Sequence, residues 1–209
     1  MNFLKIRTNE KHPILILFII FFCITAACIT GAAVRDAIFL INFARTYLPI
    51  MYIFIALFMA LAIEAYKKLT SNKDQINLMI ISGSIFSISL LVFQLNMTVW
   101  MIPVFYIWME IITILSIMQF WILAGEVFNP RQAKRLFPLI IAGGSFAAIG
   151  AGYSIKPFVE IYGSDNLLYL TLFFLSTSIA MIHFVRPYIK VDIQEIDQEI
   201  QSRNKQIDP

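Results

Sequence analysis

Glu110 is the residue whose surroundings are most unusual for its type. It is the only charged side chain in residues 75–125, a run that is otherwise apolar or neutral. At helical spacing Tyr106 and Thr113 share its face, which predicts a polar stripe along an apolar helix. A carboxyl group in such a place is costly. It marks either a solute or proton site or a protonated, hydrogen-bonded group that packs between helices.

Arg35 and Asp36 form the second candidate site, after an apolar run that begins at Pro13. The planar guanidinium of arginine holds anionic groups through two parallel hydrogen bonds. Arg35 is therefore a candidate for binding an anion, with Asp36 beside it. The alternative is a local ion pair whose side chains extend to the membrane surface.

The composition excludes most soluble classes of protein. Of the 209 residues, 59% are hydrophobic and 14% are charged, whereas soluble domains are roughly 45–50% apolar and about 25% charged. Such a chain has too few charges to cover the surface of a soluble enzyme, a disordered tail or a disulfide-rich secreted module. The lipid bilayer is the solvent that this composition requires.

Six apolar segments have the length of about 20 residues that a membrane-spanning helix needs. They predict an all-α membrane protein, with a six-helix bundle in residues 1–190 and a charged tail or linker in residues 191–209. A signal peptide at the N-terminus is the competing interpretation of the first segment, but five further spans follow it. The predicted spans are residues 13–34, 48–64, 76–95, 99–125, 136–159 and 167–185, with a turn at residues 96–98.

The distribution of basic residues predicts the orientation. Of the 16 lysines and arginines, only Arg35, Arg45 and Lys156 fall on one side of the predicted topology, and the other 13 fall on the opposite side. Because basic loops stay in the cytoplasm, both termini are expected to be cytoplasmic, in the cell (inner) membrane.

A cytoplasmic charge cluster follows the fourth span and precedes the fifth. We expect it to gate the protein or to set its orientation. The sequence has no metal-ligand spacing, paired catalytic groups or phosphate-binding glycine loop. We therefore expect no enzyme activity, cofactor, metal ion or nucleic-acid partner. The members of the cluster are Glu126, Arg131, Lys134 and Arg135.

The junction between the fourth and fifth spans resembles a known family. Residues 120–124 (Phe-Trp-Ile-Leu-Ala) lead into residues 129–138 (Asn-Pro-Arg-Gln-Ala-Lys-Arg-Leu-Phe-Pro), and residues 34–37 and 48–49 add weaker likeness. These segments are similar to the N-terminal half of the ATP/ADP translocase (nucleotide transporter) family and its bacterial relatives of major-facilitator type.

The resemblance implies roles for particular residues. Arg35 falls where the translocases have a functionally important lysine beside an aspartate, and Glu110 falls near a glutamate that they need for transport. Arg131 and Gln132 replace a typically acidic pair, which is a departure from the family pattern. Family members have about twelve helices in two halves, so the resemblance implies a second six-helix unit, either another copy or a separate C-terminal half.

The expected function is alternating-access transport of a small anionic solute such as a nucleotide. In this hypothesis Arg35, Asp36, Tyr106 and Glu110 bind the solute along the central path. The alternative is a non-transporting membrane subunit or anchor that uses the same bundle within a larger complex.

Overall fold

The structure is a computed structural model that describes residues 11–70 and 74–184. The predicted tail of residues 191–209 lies outside the described residues, as do the first ten residues and the end of the sixth predicted span. No β-strand occurs in the two described ranges.

The described residues form six α-helices, each long and apolar enough to cross a membrane. A helix satisfies its own backbone N–H and C=O groups, which a bilayer cannot do. The prediction of six spans is confirmed, and so is the turn between the third and fourth. The helices are α1 (Lys11–Asn42), α2 (Leu48–Thr70), α3 (Gln75–Asn96), α4 (Ile102–Val127), α5 (Pro130–Tyr162) and α6 (Leu167–Phe184).

Three helices extend well beyond the apolar segments that predict them. α1 continues past Val34 to Asn42, so Arg35 and Asp36 lie within the helix and not at its end, and α2 continues past its predicted end to Thr70. α5 begins at Pro130, six residues before the predicted start. There the Asn129 side chain caps the first turn, and the Asn129 backbone N–H donates a hydrogen bond to Oε1 of Gln132 at 3.1 Å. This capping box starts the helix in a charged segment, where hydropathy gives no signal.

α1 lies at the centre of the bundle, packed against α4 and α5. Glycines of α5 permit the close approach, because a Cβ atom at Gly143 would lie 3.0 Å from the Phe18 carbonyl oxygen. At Gly144 it would lie 2.6 Å from the Phe21 ring. The small residues at these positions of α5 therefore let the two helix backbones approach closely.

α2 is the most peripheral helix. Only 11% of its most apolar stretch is buried within the chain, compared with 61% for α1. Its contacts within the chain are chiefly with α4. Large side chains such as Ile53, Leu57 and Leu61 are exposed along it. This surface is free for contact with lipid or with another protein.

Candidate functional site

Arg35 on α1 joins carboxylates from two helices. Its Nε atom donates a hydrogen bond to Oδ1 of Asp36 at 2.9 Å, and its Nη1 atom donates to Oε2 of Glu110 on α4. Arg35 and Glu110 are 75 residues apart in the sequence. The two residues with the strongest functional signals in the sequence are thus in direct contact.

Tyr106 completes what we call the Arg35 cluster, which consists of Arg35, Asp36, Glu110 and Tyr106. The Tyr106 ring lies under the guanidinium, with the Arg35 Cζ atom 4.5 Å from the ring centroid. A cation over an aromatic face is attracted by the ring quadrupole. Phe39 packs on the other side of Tyr106, with ring centroids 4.8 Å apart, and both rings are fully buried.

The helix ends give a consistent depth for the Arg35 cluster. Glu110 lies eight residues after the start of α4, which is about 12 Å along the helix axis at roughly 1.5 Å per residue. Arg35 lies seven residues before the end of α1, which is about 10 Å by the same rise. Because α1 continues past Val34, Arg35 lies about two turns inside this helix, as Glu110 does in α4.

The Arg35 cluster is buried on one side and accessible on the other. The Arg35 side chain is 11% exposed, whereas those of Glu110 and Asp36 are 28% and 50% exposed. Arg35 is thus enclosed by its partners, whereas part of each carboxylate lies on the surface of the chain. With both carboxylates ionised, one cation and two anions give the cluster a formal charge of −1.

The polar stripe on α4 continues below Glu110. Thr113, one turn further along, donates a hydrogen bond to the Met109 carbonyl oxygen at 3.0 Å. Its hydroxyl also contacts the thiol of Cys28 on α1. Deeper still, the Thr171 hydroxyl of α6 donates to Thr30 of α1 at 3.0 Å. Polar groups thus lie between α1 and α4 from Glu110 to Thr113, and a further polar pair lies between α1 and α6.

The charge cluster expected on the cytoplasmic side is spread over the surface between α4 and α5. Arg131, Lys134 and Glu126 are exposed, and Arg135 is half-buried. Glu126 lies near Asp74, the residue that caps α3. A role for these residues in gating or orientation stays a prediction.

A buried polar network joins α2, α3 and α4, and sequence reasoning did not predict it. The Gln75 amide of α3 donates to the Tyr66 hydroxyl of α2 at 3.1 Å and to the Gln119 carbonyl oxygen of α4 at 3.3 Å. The Gln119 amide oxygen lies 2.8 Å from the Ser82 hydroxyl. Glutamines within apolar spans were the available signal, because uncharged polar side chains in membranes pair across helices.

The described residues offer no obvious metal site. Among residues 11–70 and 74–184, no three His, Cys, Asp or Glu side chains come together as ligands. Cys23 and Cys28 are free thiols, both buried.

Comparison with known proteins leaves the family open. No family model matches the sequence, and no curated protein or solved structure matches it at a significant level. The resemblance to nucleotide translocases stays a prediction.

Proposed function

We propose that this chain is a membrane transport protein that forms one six-helix half of an alternating-access transporter. It moves a small anionic solute, of which a nucleotide is one example. The observation that carries the proposal is the ion pair between Arg35 and Glu110, which joins two membrane-spanning helices about two turns from a helix end. Charged side chains within such helices are rare and mark solute and ion pathways.

The accessible carboxylates support a role beyond packing. An ion pair that only fastens two helices needs no exposed oxygen on either carboxylate, whereas a site that exchanges its anionic partner does. Here Glu110 and Asp36 remain partly exposed beside a buried guanidinium. That arrangement suits a site that exchanges one anionic partner for another.

A second six-helix unit would complete the transport path. Alternating access needs two units that rock about a central site, and the exposed apolar face of α2 offers surface for another copy or a separate C-terminal half. We place both termini in the cytoplasm and the protein in the cell (inner) membrane, because the basic residues are concentrated on one side.

The second candidate function is a non-transporting subunit or anchor. The observation that favours it is the coordination of Arg35, which already has two carboxylates and an aromatic ring around it. Such a group could simply fasten α1 to α4. In that case Glu110→Gln would leave function unchanged, and binding of the partner would depend on the lipid-facing helices.

Reconstituted uptake tests the proposal. The purified protein is incorporated into liposomes, and uptake of labelled nucleotides and smaller oxyanions is compared for the native chain, Glu110→Gln and Glu64→Gln. Glu64 is the matched control, since it is an exposed carboxylate on α2 that pairs with Lys67 at 2.9 Å. We expect Glu110→Gln to abolish uptake and Glu64→Gln to retain it. Equal uptake by all three proteins would refute the role of Glu110.

Native mass spectrometry in a membrane mimetic tests the need for a second unit. A species at twice 24.0 kDa would support a self-assembled transporter. A strict monomer that nevertheless transports would contradict the two-unit arrangement. A monomer without activity would direct the search to a separate partner.

A further inference from the structure

The guanidinium of Arg35 has no unoccupied edge on which an anion could make a forked contact. A guanidinium presents two such edges, one formed by Nε and Nη2 and the other by Nη1 and Nη2. Asp36 occupies Nε and Glu110 occupies Nη1, so each edge already has one donor engaged. The Tyr106 ring covers one flat face. An anion that takes a forked grip must therefore displace a carboxylate.

The charge balance opposes displacement of an ionised carboxylate. An added anion would change the formal charge of the Arg35 cluster from −1 to −2 or lower. The surrounding side chains include Phe39, Tyr106 and Met109, each about 1% exposed. In such apolar surroundings like charges at close range disfavour one another, and one carboxyl group becomes neutral instead. Anion binding therefore requires the uptake of a proton.

Glu110 is the carboxylate that the geometry selects for displacement. Asp36 is adjacent to Arg35 on α1, so the two stay together when the helix moves, and its side chain is 50% exposed. Glu110 belongs to another helix and is 28% exposed, so its ionised form loses more when the guanidinium leaves. Separation of α1 from α4 would break the contact of Glu110 but not that of Asp36.

The groups around Glu110 are compatible with a neutral carboxyl. α1 contributes Arg35, Asp36 and the Cys28 thiol, and α4 itself contributes Tyr106. Tyr52 of α2 lies next to the Tyr106 hydroxyl. Near Glu110, α3 contributes the Ser89 hydroxyl, which accepts a hydrogen bond from Trp108. α6 contributes Thr171, which lies beside Gly31. Neither hydroxyl titrates. Arg35 is the one cation in this set, so its departure removes the main support for the charge of Glu110.

We propose that an oxyanion binds Arg35 in exchange for Glu110, and that Glu110 takes up one proton from water as it is displaced. The Nη1 hydrogen bond passes from Glu110 to the anion, and the proton forms an O–H bond on the Glu110 carboxyl. Release of the anion reverses both steps. By linkage the proton strengthens anion binding by the same factor as the anion strengthens proton binding. This proposal rests on the proposed function, in which it makes the proton the coupling ion.

Calorimetry with the purified protein in lipid nanodiscs measures the coupling directly. The probes are ADP and inorganic sulfate, of which sulfate carries no titrating proton of its own near neutral pH. Titration in two buffers with different ionisation enthalpies gives the number of protons taken up per anion. We expect one proton to be taken up per sulfate bound. The affinity for sulfate should fall about tenfold for each unit by which the pH rises, over the range where Glu110 is ionised in the anion-free protein. This measurement uses the native chain and depends on no variant.

Variants separate the coupling from the anion site itself. Glu110→Gln, which resembles the protonated residue, should bind sulfate with no proton uptake and no pH dependence, whereas Glu64→Gln should behave like the native chain. Sulfate binding by the native chain without proton uptake would overturn the coupling and leave the proposed transport function standing. If neither probe bound the native chain at low pH or Glu110→Gln at any pH, both the anion site at Arg35 and the present proposal would be refuted.

Discussion

A methyl group added at Gly144 tests how rigidly α1 and α5 are packed. The new Cβ atom of Gly144→Ala would lie 2.6 Å from Cε1 of the Phe21 ring, whereas carbon atoms pack at about 3.5–4.0 Å. The ring has little room to move, because it stacks on Phe120 at 4.6 Å and meets the edge of Trp121 at 5.3 Å between centroids. We therefore expect the substitution to overpack the core.

A second glycine of the same helix provides the control. At Gly150 nothing lies within 4 Å of the position that a Cβ atom would take, so Gly150→Ala gains only the helix propensity of alanine, about 1 kcal/mol. Gly144→Ala gains the same propensity but also overpacks, which costs about 1–3 kcal/mol. The gain in helix propensity is the same for both variants, so it cancels when their free energies of unfolding are compared. Gly144→Ala should therefore be less stable than Gly150→Ala by about 1–3 kcal/mol.

Equilibrium unfolding in mixed micelles, followed by circular dichroism, measures this difference. Both variants are compared with the native chain under identical conditions, and the free energies of unfolding are obtained from the transitions. Equal free energies for the two variants would refute the reasoning, because they would mean that the Phe21 ring yields at no cost.

Three further substitutions test other contacts by the same unfolding measurement. Arg35→Gln should destabilise the protein by about 1–3 kcal/mol, less than for a fully buried pair because the carboxylates are partly exposed. Adding Glu110→Gln should recover part of this loss. Strictly additive free-energy changes for the two substitutions would contradict the ion pair. Ser82→Ala should cost about 1–3 kcal/mol, since it leaves the buried Gln119 amide short of a partner, and no change would show that the amide finds another. Glu64→Gln should change stability by less than about 1 kcal/mol, because its pair with Lys67 is exposed; a larger loss would reveal a role for this surface.

Hydropathy alone predicts the six spans but not where α1 and α2 end. Glu64 and Arg35 look like the limits of apolar segments, yet α2 continues to Thr70 and α1 to Asn42. A helix that extends beyond the hydrocarbon layer can carry charged residues there without losing their hydration. Composition therefore carries no information about where such a helix ends. At α5 the signal was local, in the capping box at Asn129 and Gln132.

The candidate site is predictable in its members but not in its connections. The isolation of Glu110 among apolar residues and the adjacency of Arg35 to Asp36 are features of the sequence itself. The contact between Arg35 and Glu110 is not, because it depends on how α1 packs against α4. The partial exposure of both carboxylates, on which the proton-coupling proposal depends, is likewise a property of the packed helices.

The central position of α1 also has a consequence for biosynthesis. α1 leaves the ribosome before the helices that enclose it, and Glu110 is made 75 residues after Arg35. At about 5–20 residues per second this interval lasts about 4–15 s. During that time Asp36, already present on the same helix, is the nearest counterion for the arginine. A chain arrested before α4 would hold Arg35 by this one carboxylate, so Asp36→Asn should reduce membrane insertion of such an arrested chain more than that of the full chain.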